Sequence, residues 1–388
     1  MQKEKRMSGL RVKSRRLVLL AVALALPAQA QTHDAPHYKV DPFWPGQLPN
    51  KWIMGQVGGI AVDSQDHIWV LQRPRSATPD ELGAAQNPPR SDCCMATPAV
   101  LEFDTAGNVI NSWGGPNFVK DWPTTEHAIW VDKGGDVWIS GAGVDDRQVL
   151  KFTPDGHQIL EIGRKSKEPK NNQDTTMLGR AAAIEVDDAA HEVYIADGYL
   201  NNRIMVFDSD TGKFKRGWGG YGMPLSQVSN SVEQIEGEVP AAGQIPPYAA
   251  SDPPDGQFRS PVHCVRLSND GLVYVCDRHN DRIQVFTKAG KFVREFFLHP
   301  ETLGNGSTWT MTFSHDVGQK YMLVVDGENN TIWIATRSDG RVISHLGHSG
   351  RNSGQFHWVH QAAMDSMGNL YTGEVDTGKR VQKFVLDR

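Results

Sequence analysis

Long apolar runs, basic charge and cysteine are all scarce in this chain, and each scarcity narrows what it can be. The one long apolar run, Leu17–Leu26, is too short to span a bilayer, which argues against a membrane anchor. No long amphipathic helix is evident in the rest of the sequence, whereas eleven Trp and thirty-eight Gly suit short strands joined by turns. The formal net charge is −5; removing residues 1–30 takes away seven Lys or Arg and one Glu and leaves −11. So acidic a remainder is a poor match to nucleic acid or to an anionic membrane surface. Only four cysteines are present, Cys93, Cys94, Cys264 and Cys276.

The first thirty residues read as a cleaved export signal. A basic stretch from Lys3 to Arg16 precedes the apolar run, and Ala28-Gln29-Ala30 is an A-x-A cleavage site. Ser14-Arg15-Arg16-Leu17 fits a twin-arginine signal and an ordinary secretory one equally. The expected location is therefore periplasmic or secreted, where disulfides are allowed. Cys264 and Cys276 flank a tight turn and are expected opposite each other, as a cross-strand disulfide or as two buried thiols. The adjacent Cys93-Cys94 pair fits a vicinal bridge, a metal contact or two independent thiols.

The remainder is built from one repeated unit. Residues Ser260–Phe286 read strand, turn, strand, polar loop, strand, with Asn269-Asp270-Gly271 supplying the tight turn. Copies start near Gly59, His127, Ala183 and His360, and a degenerate copy runs from Trp309 to Ala335. Six repeats of about 40–50 residues with four short strands each predict an all-β, six-bladed β-propeller of four-stranded antiparallel blades. The last repeat stops one strand short, and Tyr38–Phe43 is expected to supply that strand and close the ring. Residues 31–388 are thus expected to form a single propeller, monomeric, with long loop insertions at about 74–98 and 221–257.

Aligning the repeats on the aromatic residue of their second strand exposes a pattern. His127 precedes Trp138, His263 precedes Tyr274 and His360 precedes Tyr371, each by eleven residues. The equivalent positions in blades one and three are Gly58 and Ala182. Histidines at one register in alternate blades, about 120° apart around a six-fold ring, converge on the axis. Three neutral imidazoles around an open position make a catalytic zinc arrangement. Arg73, Tyr199 and Arg278 follow the second strands of their blades and are expected on the same face. There Tyr199 suits a general base and the arginines suit carboxylate binding, unless the arginines instead pair with neighbours such as Asp277. Other histidines, among them His67, His157, His191 and His348, lack the register and read as surface residues.

On these residues the chain resembles the peptidyl-α-hydroxyglycine α-amidating lyases, six-bladed propellers that complete peptide amidation, and more broadly the NHL-repeat propellers. The likeness is carried by EHAIWVD around His127, SPVHCVRL around His263, FHWVHQA around His360, DGYLNNRI around Tyr199, CDRHNDRI around Arg278 and VLQR ending at Arg73. It implies zinc on His127, His263 and His360, with Tyr199, Arg73 and Arg278 as catalytic residues. It also implies a small-molecule or peptide-derived substrate whose carbinolamide C–N bond is cleaved to an amide and glyoxylate. Two positions depart from the pattern. Gln361 stands where the family carries an Asp for structural calcium, and Trp358 replaces a Met at the pocket wall. A non-catalytic propeller that binds a protein or glycan through its loop face is the competing reading. A calcium lactonase would need carboxylates where these repeats put histidine.

Overall fold

The computed structural model describes residues 35–231 and 256–387. Residues 1–30, expected from sequence to be an export signal, and most of the expected insertion at 221–257 lie outside the described residues. Six four-stranded antiparallel sheets follow one another as blades, with the first strand of each innermost. The innermost strands are Gln56–Val62, Glu126–Val131, Ala183–Asp187, Val262–Leu267, Thr310–Phe313 and Val359–Met364. The sixth blade takes its outer strand from the N-terminal side: His37–Asp41 pairs with Val381–Asp387, Val40 facing Phe384, as predicted. Among the described residues the only helical segments are short 3₁₀ turns, and no helix is long and apolar enough to cross a membrane.

The strands read as nearly continuous apolar runs because both faces of each blade are covered. Side chains alternate across a strand, so one blade feeds two interfaces. In the second strand of blade two, Val137 and Ile139 pack against blade one, while Trp138 packs against blade three. A large apolar cluster fills each of the six gaps, the last joining Val57 and Ile60 of blade one to Tyr371 and Val381 of blade six. In blades one, two and six the turn between the first two strands is clamped by an Asp that directly follows the innermost strand. Trp69 Nε1 donates to Asp63 (2.9 Å), Trp138 Nε1 to Asp132 (3.0 Å) and Tyr371 Oη to Asp365 (3.0 Å). The clamp ties the aromatic of the second strand to a fixed point beside the first in these three blades; in blade four, where Ser268 stands in that place, Tyr274 Oη instead accepts from Arg337 Nε (2.9 Å).

Cys264 and Cys276 face each other in neighbouring strands and are disulfide-bonded, and Cys93 and Cys94 are bonded to each other. The insertion after Arg73 carries short turns at Pro74–Ser76 and Gly83–Ala85. It returns through Met95–Ala96, which pairs in parallel with Trp52–Ile53. His157, His191 and His348 are exposed, as expected. His67 is instead half-buried, its Nδ1 2.8 Å from Glu102. Asp63 stands beside that pair, but its carboxylate is already taken by Trp69 and by the amides of Gln65 and His67.

Candidate metal centre and active site

His127, His263 and His360 meet on the axis. Their ring centroids form a nearly equilateral triangle with sides of 5.2, 5.0 and 4.8 Å, and all three are buried. Each is the extra residue of a β-bulge. The ladder skips from Glu126 to Ala128, from Val262 to Cys264 and from Val359 to Gln361. A bulge leaves one residue unpaired and re-aims its side chain, here out of the blade interfaces and into the channel. Gly58 occupies the matching bulge in blade one.

The other three blades orient the rings. Nδ1 of His127 lies 2.9 Å from the carbonyl oxygen of Ala182 in blade three. Nδ1 of His263 lies 2.5 Å from that of Trp309 at the start of blade five, and Nδ1 of His360 lies 3.0 Å from that of Gly58 in blade one. A carbonyl only accepts, so each Nδ1 carries the proton and each Nε2 presents a bare lone pair. Alternate blades thus supply ligand and orienting carbonyl. Gly58 is required for its size: a Cβ there would lie 2.5 Å from the carbonyl oxygen of Glu126.

Tyr199 completes the cluster. Its Oη lies 2.8 Å from Nε2 of His127 and 3.0 Å from Nε2 of His263. Three bare nitrogens and one phenol oxygen therefore share a single proton, so the donor set is short of positive charge. Protonating the imidazoles is not the remedy. Burial first, then the charges of Arg73, Arg278 and the trio itself, holds all three well below the ordinary histidine range. A cation at the centre fits this donor set, and three imidazoles are a zinc-type ligand set.

Two loops of the same design present the polar side chains around it. In one, buried Asp197 receives Arg203 Nε (2.8 Å) and Asn201 Nδ2 (2.9 Å), and Tyr199 projects from the loop so fixed. In the other, buried Asp277 receives Arg282 Nε (2.7 Å) and Asn280 Nδ2 (2.8 Å), and Arg278 projects. Asp277 pairs with Arg282 because the strand register sets them opposite each other, which leaves Arg278 for the site. Arg278 donates to the carbonyl of Asn305 (2.7 Å) and lies 3.7 Å above the Trp309 ring. Arg73 donates to the carbonyl of Glu126 and to Gln56 Oε1, both at 2.7 Å.

Sequence reasoning missed several residues here. Trp309 provides a carbonyl to His263 and a face to Arg278, and it packs 5.4 Å from Trp358 to form an aromatic wall. The Arg180 guanidinium stands 5.7 Å from the Tyr199 ring. His279 lies beside Arg278 with a buried Nε2 that has no partner among the described residues, and burial with the neighbouring arginines pushes it down to about 3. The loop that carries Arg278 and His279 looks like a polar surface loop in sequence, yet Arg278, Asn280 and Asp281 in it are buried.

Comparison with known proteins agrees with this architecture. The NHL repeat model matches residues 262–286. The chain is 26% identical over 277 residues to peptidyl-glycine alpha-amidating monooxygenase B of Xenopus laevis, covering 67% of this chain and 26% of that protein. It is 24% identical over 252 residues to a probable peptidyl-alpha-hydroxyglycine alpha-amidating lyase of Caenorhabditis elegans, covering 62% of this chain and 57% of that one. The matched region therefore spans about a quarter of the frog protein and little more than half of the worm protein. A streptogramin B lyase structure superposes with a TM-score of 0.51 at 12% identity, covering 90% of this chain and 98% of that one, a likeness of fold alone. The chain is a six-bladed propeller carrying an NHL repeat, with distant sequence similarity to the peptidylglycine-amidating enzymes.

Proposed function

We propose that this protein is an exported zinc-dependent lyase that cleaves the carbinolamide C–N bond of an α-hydroxyglycine derivative, releasing an amide and glyoxylate. One observation carries the reading above all: Tyr199 Oη sits within 3.0 Å of two of three converging, unprotonated imidazole nitrogens. The similarity to a probable amidating lyase supports the choice of reaction.

His127, His263 and His360 would hold the metal, and zinc when bound supplies a Lewis acid that lowers the pKa of a hydroxyl beside it. Arg73 and Arg278 bind the substrate carboxylate and fix its α-carbon next to Tyr199. Tyr199, as the phenolate that such a Lewis acid would favour, takes the proton from the α-hydroxyl and becomes the neutral phenol, which can return that proton to the leaving nitrogen. The O–H electron pair becomes the carbonyl bond of glyoxylate while the C–N bond breaks, and its electrons leave on the amide nitrogen. That nitrogen takes up one proton, so one carbinolamide yields one amide and one aldehyde with no net redox change. The Trp309–Trp358 wall shields this face from water.

Export is supported by the N-terminal segment and by the absence of free cysteine among the described residues. The test is direct. Zinc-loaded protein is incubated with N-benzoyl-α-hydroxyglycine, and benzamide and glyoxylate are measured. Equimolar release supports the proposal, and no release by folded, zinc-loaded protein overturns it.

A further inference from the structure

The central channel has a second mouth, on the face opposite the histidines. There the innermost strands end around a cavity of about 310 Å³, and each blade lends it a residue: Val62, Trp130, Glu185, Arg266, Thr312 and Met364. The size is at the small end of the range for ligand sites. Apolar and polar side chains share its walls, among them an ion pair. Arg266 Nη1 lies 3.4 Å from Glu185 Oε2, while Glu185 Oε1 accepts the Leu267 amide at 2.8 Å.

That pair is loosely made and leaves donors over. Arg266 Nε donates to the carbonyl of Met311 (2.9 Å), and the guanidinium stands 5.5 Å from the Trp130 ring, but among the described residues nothing accepts from Nη2. The Trp130 indole N–H is buried and has no partner among the described residues. Burial pushes the Glu185 carboxyl up to about 7, so the negative charge facing Arg266 is only partly present near neutrality. Orphaned buried donors cost free energy until an acceptor fills them. The Trp130 N–H is a buried orphan donor, and the Arg266 guanidinium beside it is cationic and partly exposed, with Val62, Phe313 and Met364 among the apolar side chains of the same cavity.

We propose that this mouth of the channel binds a small monocarboxylate with an apolar body, its carboxylate held by Arg266 and the Trp130 N–H. Glu185 acts as the competitor that the ligand displaces. The site lies on the face away from Arg73, Tyr199 and Arg278, so it stands or falls independently of the lyase reading.

Benzoate and its uncharged analogue benzamide serve as probes, with the mature protein titrated in a calorimeter and by tryptophan fluorescence. Saturable binding of one benzoate is expected, with benzamide at least about tenfold weaker. Arg266→Gln should weaken benzoate about tenfold or more. Trp130→Phe, which keeps ring bulk and removes the N–H, should weaken it severalfold. Glu185→Gln, whose amide oxygen still accepts the Leu267 N–H, should tighten it. Should Arg266→Gln fail to fold, the Trp130 and Glu185 variants decide. Absence of saturable benzoate binding overturns the proposal. So do variants that bind as the wild type does, since the anion then sits elsewhere, as at Arg73 and Arg278.

Discussion

Each axial histidine has both ring nitrogens assigned, one to a carbonyl of the next blade and one to the centre. Consequences follow at the scale of single residues. Tyr199→Phe removes only the phenol oxygen, so it should keep zinc and lose about 10²–10⁴ in kcat, read from glyoxylate release beside metal content. Gly58→Ala should cost about 1–3 kcal/mol in thermal unfolding and weaken zinc binding, because its Cβ crowds the Glu126 carbonyl while its own carbonyl holds His360. The buried trio also fixes a pH dependence for metal-free protein. Unfolded histidines take up protons near pH 6.5, whereas the folded ones resist until well below it. The unfolded state therefore binds more protons in that window. Stability present above about pH 6.5 should be lost as pH falls, by up to about 1.4 kcal/mol per pH unit for each histidine. Denaturant midpoints of metal-free protein between pH 8 and 5 check this, and His360→Asn should flatten the slope. The histidine register and Tyr199 were legible in sequence because the repeat supplies its own alignment. Their orienting partners were not, since Ala182, Trp309 and Gly58 act through backbone carbonyls that leave no mark on residue type.

At the scale of elements, the bulges, the two Asp–Arg loops and the closing strand do the positioning. Spacing alone revealed neither the bulge, a backbone departure, nor the pairing of Asp277 with Arg282, which depends on strand register. The closing strand was legible because the last blade lacks a partner for Val381–Asp387, and an open edge demands one. Removing residues 37–41 should therefore lower the melting temperature and promote self-association through the exposed edge, measured by calorimetry and light scattering. Reducing the Cys264–Cys276 bridge, or replacing both residues with Ala, should cost about 3 kcal/mol on a chain-entropy argument for its short loop. The bridge fastens the strand that carries His263, so zinc affinity should fall along with stability.

For the whole molecule, the six-fold ring explains why three histidines suffice. Three blades carry imidazoles on bulges of their innermost strands, and the other three supply the carbonyls that aim them, from a bulge in blade one and from the start of the innermost strand in blades three and five. The fold was readable from repeats because every blade buries both faces and so reuses one apolar pattern. The channel's second mouth was not, because its lining gathers residues from all six innermost strands and from two turns, and no local motif links Glu185 to Arg266. The central claim is the axial metal centre, and metal content tests it most directly. Mature protein folded without added metal is titrated with zinc and weighed by native mass spectrometry beside His263→Ala. One tightly held zinc per chain is expected in the wild type and its loss in the variant. Well-folded wild-type protein that takes up no zinc would contradict it.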